Sequence, residues 1–592
     1  MTAQHYRSLV ELLRHRAQNQ ADKRAFVFLA SDGGETDSLT YGELDQKSRS
    51  VAAKLQRLGV GGERALLLYP PGLEFIVAFF GCLYAGVIAV PVRPPHPARP
   101  ARTLSRLPGI VASAEPRVVL GSEAMISLMP ALSLELPQLA QACWLATDRI
   151  APEEAATWSD PVVDPDTLAL LQYTSGSTAA PKGVMISHSN LCHNLAAIHE
   201  CEENDADSVS VTWLPCYHDM GLVEGMLQPV FGGYTCYQMA PISFLQRPVR
   251  WLEAISRYAA TNSGAPNFAY DLCVKKTTAE QRQGLDLSSW SVAYNGAEPI
   301  RRDTMRRFHQ AFEGNGFRWK AFYPVYGLAE ATLVVSSGRQ ATLPVIRDVD
   351  GEALGRDRAV EVRGSKGASV TLVSCGPPAP DTNVTIVNPD TRRRCEPSEV
   401  GEIWVSGPGV SRGYWQRPKE TRQILRARLA ETNEGPFLRT GDLGLLWHGE
   451  LYVTGRLKDV IIIRGRKHYA QDIEATVEHC HPAIRSFGSA TFAVETVEGE
   501  GLAVMAELER WKGHHKRTEL TEASVIETIR EAVAERHEIE AHAVTLLAPG
   551  AIPRTTSGKL RRRNCRRAFL EHKLEPLEQW VRPPAPPASA AK

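Results

Sequence analysis

The 592-residue chain has no surplus charge, no closely spaced cysteine pair, no long uncharged apolar run and no fixed-period repeat. Its 67 basic and 67 acidic side chains cancel, so bulk electrostatics give no support to nucleic-acid binding. The runs Arg392-Arg393-Arg394 and Arg561-Arg562-Arg563 read as solvated surface rather than a phosphate footprint. The 11 cysteines are scattered without a Cys-x-x-Cys pair, which indicates neither a zinc site nor a disulfide framework. The most apolar stretch, Leu73 to Val92, holds Glu74 and Pro91 with Gly81 and Gly86 between them. It reads as a buried helix running into a strand, not as a membrane span. The opening MTAQHYRSLVELLRHRAQNQ is charged throughout with helical periodicity, unlike a secretory signal, so a cytoplasmic setting is expected.

A 43% hydrophobic and 23% charged composition is that of a globular protein with more than one domain's worth of chain. Short apolar runs (RALLLY, VIAVPV, RVVLG, SVSVTWL, SVAYNGAE) alternate with longer amphipathic stretches such as LEFIVAFFGCLYAG. That alternation predicts an α/β protein of layered, mostly parallel sheets with helices. PVRPPHPARPAR (91–102) reads as a rigid surface loop after a strand, or else as a polyproline ligand. Composition shifts at TGRLKDVIIIRGRK (454–467), where an apolar strand is bracketed by charges. A large domain over 1–457, a small α+β domain over 458–581 and a disordered Pro/Ala-rich tail over 582–592 are therefore expected.

One stretch, LLQYTSGSTAAPKGVMISHSN (170–190), packs hydroxyls between two apolar runs. Leu168 to Leu171 and Val184 to Ile186 read as strands. Between them Thr174, Ser175, Gly176, Ser177 and Thr178 can turn backbone N–H groups and hydroxyls toward an oxygen-rich anion. The Walker spacing is absent, and by composition alone a plain Ser/Thr hairpin is the better account. Five further motifs stand downstream in order: YNGAEPI (294–300), YPVYGLAEATL (323–333), RTGDLG (439–444), GRLKDVIIIRG (455–465) and PRTTSGKLRR (553–562). Together with YTSGSTAAPKG they resemble the ordered motif set of the adenylate-forming superfamily of acyl-CoA synthetases, adenylation domains and luciferases. The resemblance covers essentially the whole chain.

The resemblance implies a role for each motif. The hydroxyl loop, Thr174 to Thr178 with Lys182, would cradle the β- and γ-phosphates of ATP; Ala179 stands where the family usually has Gly. Asn295, Gly296, Ala297 and Glu298 match the segment beside the adenine. Tyr326, leading Gly327, Leu328 and Ala329, would cover the adenine face. Glu330 matches the magnesium carboxylate, a hard oxygen ligand of the kind a phosphate-bridging cation needs. Asp442 would accept both ribose hydroxyls, and Arg456 would reach ribose or phosphate. Lys559 matches the lysine bridging the substrate carboxylate and the α-phosphate, carried on a mobile C-terminal domain whose hinge lies at Lys458 and Asp459. The product would be an acyl-adenylate, with no side-chain nucleophile required.

Three signs point to the fatty acyl-AMP ligase branch. WLPCYHDMGL (213–222) resembles its His-Asp-Met-Gly segment, which would set His218 at the catalytic centre and His218, Asp219, Met220 and Gly221 at the acyl site. AVPVRPP (89–95) also looks like that branch, and the stretch from Thr332 to Ser374 resembles its insertion, held to hinder the closure used for CoA. The uncharged stretch 225–245 is expected to wall a fatty-chain tunnel. The implied partners are ATP, Mg²⁺, a medium- or long-chain fatty acid and the phosphopantetheine arm of an acyl carrier protein. No nucleic acid and no membrane span are implied, and a monomer is expected. A long-chain acyl-CoA synthetase shares every ATP motif. A non-catalytic relative would usually lack Glu330 or Lys559, and both are present.

Overall fold

The apolar runs assemble into two sheets built largely from parallel strands, seen in a computed structural model that describes residues 6–95, 107–161, 163–174, 181–362, 369–463, 466–496, 499–509, 521–555 and 559–583. Among these residues the larger sheet has eight strands. Their order is Val334–Ser337, Phe322–Gly327, Val292–Asn295, Asn262–Ala265, Val209–Thr212, Thr235–Met239, Arg24–Leu29 and Glu35–Thr40. The inner six run parallel, and the two edge strands pair antiparallel. A six-stranded sheet is likewise parallel except where Leu168–Thr174 turns back into Lys182–Ser187. Such strands are covered on both faces, which is why they read as continuous apolar runs rather than alternating ones.

The stretch from Leu73 to Val92 becomes the helix Glu74–Tyr84 followed by the strand Ile88–Pro91. Phe75, Ile76, Phe79, Phe80 and Leu83 are all buried, so this helix lies inside the protein. It packs against the helix Tyr41–Arg57, which opens with a capping box: the Glu43 N–H donates to the Thr40 hydroxyl at 3.1 Å and the Thr40 N–H to Glu43 Oε2 at 2.8 Å.

An antiparallel four-stranded sheet, Asn383–Val387, Gly401–Ser406, Leu438–Trp447 and Glu450–Arg456, carries the chain out of the large domain. The smaller C-terminal domain is a mixed sheet of Ile484–Thr496, Gly499–Leu508, Ala541–Leu547 and Pro576–Val581 with the helices Ala470–Cys480, Glu522–His537 and Arg562–Leu570. It has its own core around Ile473, Val504, Ile529 and Val544. Among the described residues no helix is long and apolar enough to cross a membrane.

The stretch from Thr332 to Ser374 divides in two. Val334–Ser337 is an edge strand of the eight-stranded sheet, so the part outside the core sheets begins only after it. That outer part holds the hairpin of Ile346–Asp350 with Ser369–Val373 and the short helix Gly351–Gly355. Residues 96–102 of the proline-rich stretch, 363–368 of the insertion and 584–592 of the tail lie outside the described residues, as do Ser175, Gly176, Ser177, Thr178 and Ala179.

Candidate functional site

The parallel strands Val292–Asn295 and Phe322–Gly327 end side by side, and the chain beyond their carboxyl ends borders a cavity of about 2510 Å³. Crevices at that end of an α/β sheet are where such folds bind ligands. Thr174, Lys182, His218, Asp219, Met220, Ala297, Glu298, Asp442, Arg456, Lys458, Asp459, Lys559 and every residue from Tyr326 to Glu330 line it. Asn295, Gly296 and Gly221 stand behind its wall. Asn295 is fully buried, donates to Asn267 Oδ1 at 3.2 Å and keeps its own Oδ1 without a partner.

The hairpin register sets Thr174 opposite Lys182 at the base of the hydroxyl loop. Lys182 Nζ pairs with Glu420 Oε2 at 2.5 Å and sits 4.9 Å from the centre of the Tyr414 ring. Tyr414 in turn donates its hydroxyl to Glu330 Oε1 at 2.8 Å. Burial pushes the Glu330 carboxyl up, against the Tyr414 hydrogen bond and the positive Arg456. The turn carrying Glu330 doubles back tightly, with the Leu328 N–H on the Leu333 carbonyl at 2.9 Å. A side chain at Gly327 would overlap that carbonyl, so glycine is required there by space.

Asp442, 5% exposed, is gripped from both sides. The Tyr326 hydroxyl donates to Oδ2 at 2.8 Å, and Arg456 Nε donates to Oδ1 at 2.9 Å. Each carboxylate oxygen has a second lone pair, so both can still accept from a diol. Arg456, with 63% of its side chain accessible, lines the cavity from the end of the strand Glu450–Arg456. On the opposite edge Ala297 adopts φ +67°, a left-handed conformation an alanine rarely takes, and Glu298 Oε1 accepts the Phe268 N–H at 2.6 Å.

His218 and Asp219 start the π-helix Met220–Leu227, a geometry that recurs at functional sites. Asp219 Oδ1 accepts from the Met220 N–H at 2.8 Å and lies 2.7 Å from His218 Nδ1. Burial alone would push the Asp219 carboxyl up. The attraction of His218 and Lys559, with the Met220 N–H, outweighs it and holds the group below the usual carboxylate range. The stretch 225–245, expected as a tunnel wall, does not line the cavity: Leu227, Val230 and Phe244 are packed in the main core, and Met220 and Glu224 line the cavity instead. An apolar run without charge satisfies core and tunnel equally, and here the core takes it.

From the small domain, Lys559 enters this cavity. Its N–H donates to Thr555 Oγ1 at 2.9 Å and its carbonyl accepts the Thr555 N–H at 2.7 Å. Burial lowers its ammonium pKa, while Asp219, Glu298 and Asp442 act to raise it and Arg456 to lower it further. Lys559 thus lines one cavity with the large-domain groups Asp219, Glu298 and Asp442, within their electrostatic reach. At the junction, Asp459 Oδ2 pairs with Arg562 Nη1 at 2.9 Å, and Arg562 also grips Glu474 at 2.7 and 2.6 Å. The insertion reaches the same domain: Asp357 Oδ2 pairs with Lys467 Nζ at 2.6 Å, and a Cβ on Gly355 would sit 3.3 Å from the Lys467 carbonyl oxygen.

Sequence reading misses Tyr414, Glu420 and Arg562, which hold Glu330, Lys182 and Asp459. Their partners are 84, 238 and 103 residues away in sequence, and no local spacing announces them. Arg562 does stand at the end of PRTTSGKLRR, but by sequence it is only part of a solvated basic run.

Comparison with known proteins adds three findings. The AMP-binding enzyme family matches residues 13–415, and the AMP domain of the Disco-interacting protein 2-like family matches 458–579. The chain is 48% identical to a medium-chain-fatty-acid–[acyl-carrier-protein] ligase of Moorena producens, covering 98% of each, and 37% identical to a long-chain-fatty-acid–AMP ligase of Mycolicibacterium smegmatis, covering 96% of this chain and 95% of that one. It superposes on a fatty acyl-adenylate ligase from L. pneumophila, solved with acyl adenylate and pyrophosphate, with a TM-score of 0.74 at 40% identity over 97% of this chain and 98% of that one.

Proposed function

The chain belongs to the AMP-binding enzyme family, and from that footing we propose that it joins a medium- or long-chain fatty acid to the AMP moiety of ATP and passes the acyl group to the phosphopantetheine thiol of an acyl carrier protein. The observation that carries this reading is Lys559, from the small domain, lining one cavity with Asp219, Glu298 and Asp442 of the large one.

Two anions must meet in the first step. A carboxylate oxygen attacks the α-phosphorus, the new O–P bond forms, and the bond to the β-phosphate oxygen breaks with its electrons leaving on pyrophosphate. In this reading Lys559 offsets the repulsion between carboxylate and α-phosphate, and its donors follow charge as it moves onto the leaving oxygens. Asp442 accepts the ribose hydroxyls, Tyr326 covers the adenine, Arg456 reaches ribose or phosphate, and the loop from Thr174 to Lys182 takes the outer phosphates, so the reacting atoms are held in line. Lys182 would leave Glu420 or share it when phosphate enters. Glu330 fits a magnesium ion by its chemistry: it is a hard oxygen donor on the cavity wall, and Tyr414 engages Oε1. Mg²⁺ bound there would neutralise phosphate charge, as one carboxylate plus substrate phosphates suffices to hold it. In the second step the thiol sulfur attacks the acyl carbonyl carbon to form the C–S bond, the C–O bond to AMP breaks with its electrons leaving on the phosphate, and the thiol proton passes to solvent.

The insertion supports a carrier protein rather than CoA as acceptor. Its helix Gly351–Gly355 and Asp357 press on Lys467 just past the proposed hinge at Lys458 and Asp459, where they would resist small-domain rotation. Pyrophosphate exchange across a fatty-acid series, followed by product analysis with CoA or holo acyl carrier protein, tests the reading. Exchange with fatty acids and not amino acids, then transfer to carrier protein with little acyl-CoA, is expected. Exchange driven by amino acids alone overturns it, and robust acyl-CoA synthesis returns the protein to the acyl-CoA synthetases.

A further inference from the structure

Behind the nucleotide half, the cavity continues between two helices and the eight-stranded sheet. Ile198 and Glu202 line it from the helix His188–Glu202, Met220 and Glu224 from the π-helix, and Tyr323 and Val325 from the strand Phe322–Gly327. Each pair is spaced by the period of its own element, four residues on a helix and two on a strand, as one face of a channel requires. The mouth is at Met220, beside Asp219 and His218. Going inward, the strand runs from Tyr326 at its carboxyl end, whose side chain is on the other face, back to Tyr323 near its start. At about 3.3 Å per residue that interval is about 10 Å.

Two carboxyl groups line it on the side toward the amino-terminal ends of the strands. Glu202 and Glu224, 2% and 6% exposed, lie within hydrogen-bonding reach of each other. Glu202 Oε2 also accepts from Asn204 Nδ2 at 2.7 Å and from Asn262 Nδ2 at 3.0 Å. Asn262 is the first residue of its strand, so this cluster marks the amino-terminal edge of the sheet, opposite the edge where Tyr326 stands. Burial pushes Glu202 up to about 7, and burial with the neighbouring Glu202 pushes Glu224 well above the carboxylate range. Stability alone gives little reason for such a pair. It is buried, it joins like groups, and Glu202 sits at the negative end of its helix.

We propose that the Glu202–Glu224 pair is the floor of the acyl channel: the ω end of the bound chain rests against it, and Glu224 sets the longest acid the enzyme accepts. The pair suits a floor because its members satisfy one another and the two asparagines, so an apolar chain end can abut it without stripping hydrogen bonds from water. A chain of medium length fills the interval from the mouth; a longer one meets the carboxyls. This inference rests on the fatty-acid reading above and narrows it to medium-chain acids.

The test is pyrophosphate exchange with saturated acids from hexanoate to palmitate, on the full chain. The wild type is expected to show kcat/KM falling steeply past its optimum. Glu224→Ala is expected to move the optimum to longer acids and to raise kcat/KM for palmitate relative to octanoate about ten-fold or more, the scale on which a hydrophobic pocket discriminates one methylene. Glu224→Gln, which can still hydrogen-bond Glu202, is expected to keep the wild-type optimum whatever its rate. A wild-type profile flat out to palmitate overturns the floor without any variant. A folded Glu224→Ala protein, checked by thermal melting, with an unmoved optimum overturns it as well. Exchange with no fatty acid at all would instead bring down the functional reading together with the floor.

Discussion

On the large-domain wall of the cavity, Tyr326 and Arg456 hold Asp442 from two sides and Tyr414 holds Glu330; on the small-domain wall, the hydrogen bonds at Lys559 run through its own backbone to Thr555. The first wall is a network in which each carboxylate is oriented before any ligand arrives. From the second, Lys559 reaches charges contributed by the other domain. Orientation by neighbours favours binding at fixed geometry, and a cation carried on a separate body can be brought in for one step and withdrawn for the next. If the walls divide the work in this way, damage to each should show in different quantities.

The largest effect is expected at Lys559. Lys559→Ala should lower adenylate formation by about 10²–10³-fold or more, the scale of losing a preorganised charge stabiliser, and leave ATP affinity largely intact. Exchange rates beside nucleotide binding measured by titration separate the two. Adenylation within a few-fold of wild type would remove Lys559 from the chemistry. The same lysine predicts a pH effect. Its ammonium pKa is lowered chiefly by burial, so activity should fall on the alkaline side sooner than for a free lysine.

Acid should blur the difference between the walls, because the large domain holds a buried histidine and the small domain a half-buried one, both neutral. His188 in the large domain is 1% exposed, and its Nδ1 accepts the Leu9 N–H at 3.2 Å; His537 in the small domain pairs with Thr476 Oγ1 at 2.7 Å. Burial pushes both down to about 4. The unfolded chain, with ordinary imidazoles near 6.5, binds more protons between those values, so the stability is complete above pH 6.5 and drains away as pH falls toward 4. For His188 the full loss amounts to about 3 kcal/mol. His188→Gln should therefore narrow the gap between unfolding midpoints measured at about pH 7 and about pH 5. An unchanged gap would mean that His188 does not drive the acid response.

Next in size is the binding wall. Asp442→Ala removes the proposed acceptor for the ribose and leaves Arg456 and Tyr326 without their shared partner. A hydrogen bond to a charged group is worth about 1.5–3 kcal/mol, so ATP affinity should weaken about ten- to hundred-fold, with the rate at saturating ATP reduced less. The opposite split, an unchanged KM with a collapsed kcat, would contradict the division between the walls.

Much of this arrangement is legible in the sequence, and the illegible remainder has a physical pattern. The Thr174–Lys182 hairpin, the Tyr326–Glu330 turn and the segment at Asp442 are local: their residues lie within a few positions of one another and their small residues mark tight backbone. The alternation of apolar runs likewise announces the parallel sheets and the buried helix Glu74–Tyr84. The contacts that orient the site are not legible, because Tyr414 to Glu330, Lys182 to Glu420 and Arg562 to Asp459 join residues far apart in the chain. The acyl wall fails for another reason. The uncharged run 225–245 looks suitable, while Glu224, one residue before it, looks too polar for a fatty-chain channel, although it is Glu224 that lines the cavity.

The smallest expected effect concerns the coupling between the two walls. Asp357 of the insertion and Lys467 of the small domain form an ion pair whose side chains are 30% and 35% exposed. Partly solvated pairs of this kind contribute at most about 1 kcal/mol. If the pair helps hold the small domain as it stands, removing it can shift the rotational equilibrium by no more than that energy, about a five-fold change in population. Lys467→Ala should accordingly raise the yield of acyl-CoA over released acyl-AMP by no more than a few-fold, and removing Asp348 to Ala368 should raise it further, because the Gly351–Gly355 helix is lost too. Product ratios with CoA in excess provide the measurement. Deletion with no gain in acyl-CoA would show that the insertion does not restrain the small domain, and the choice of acceptor would then have to lie in the surface that receives it.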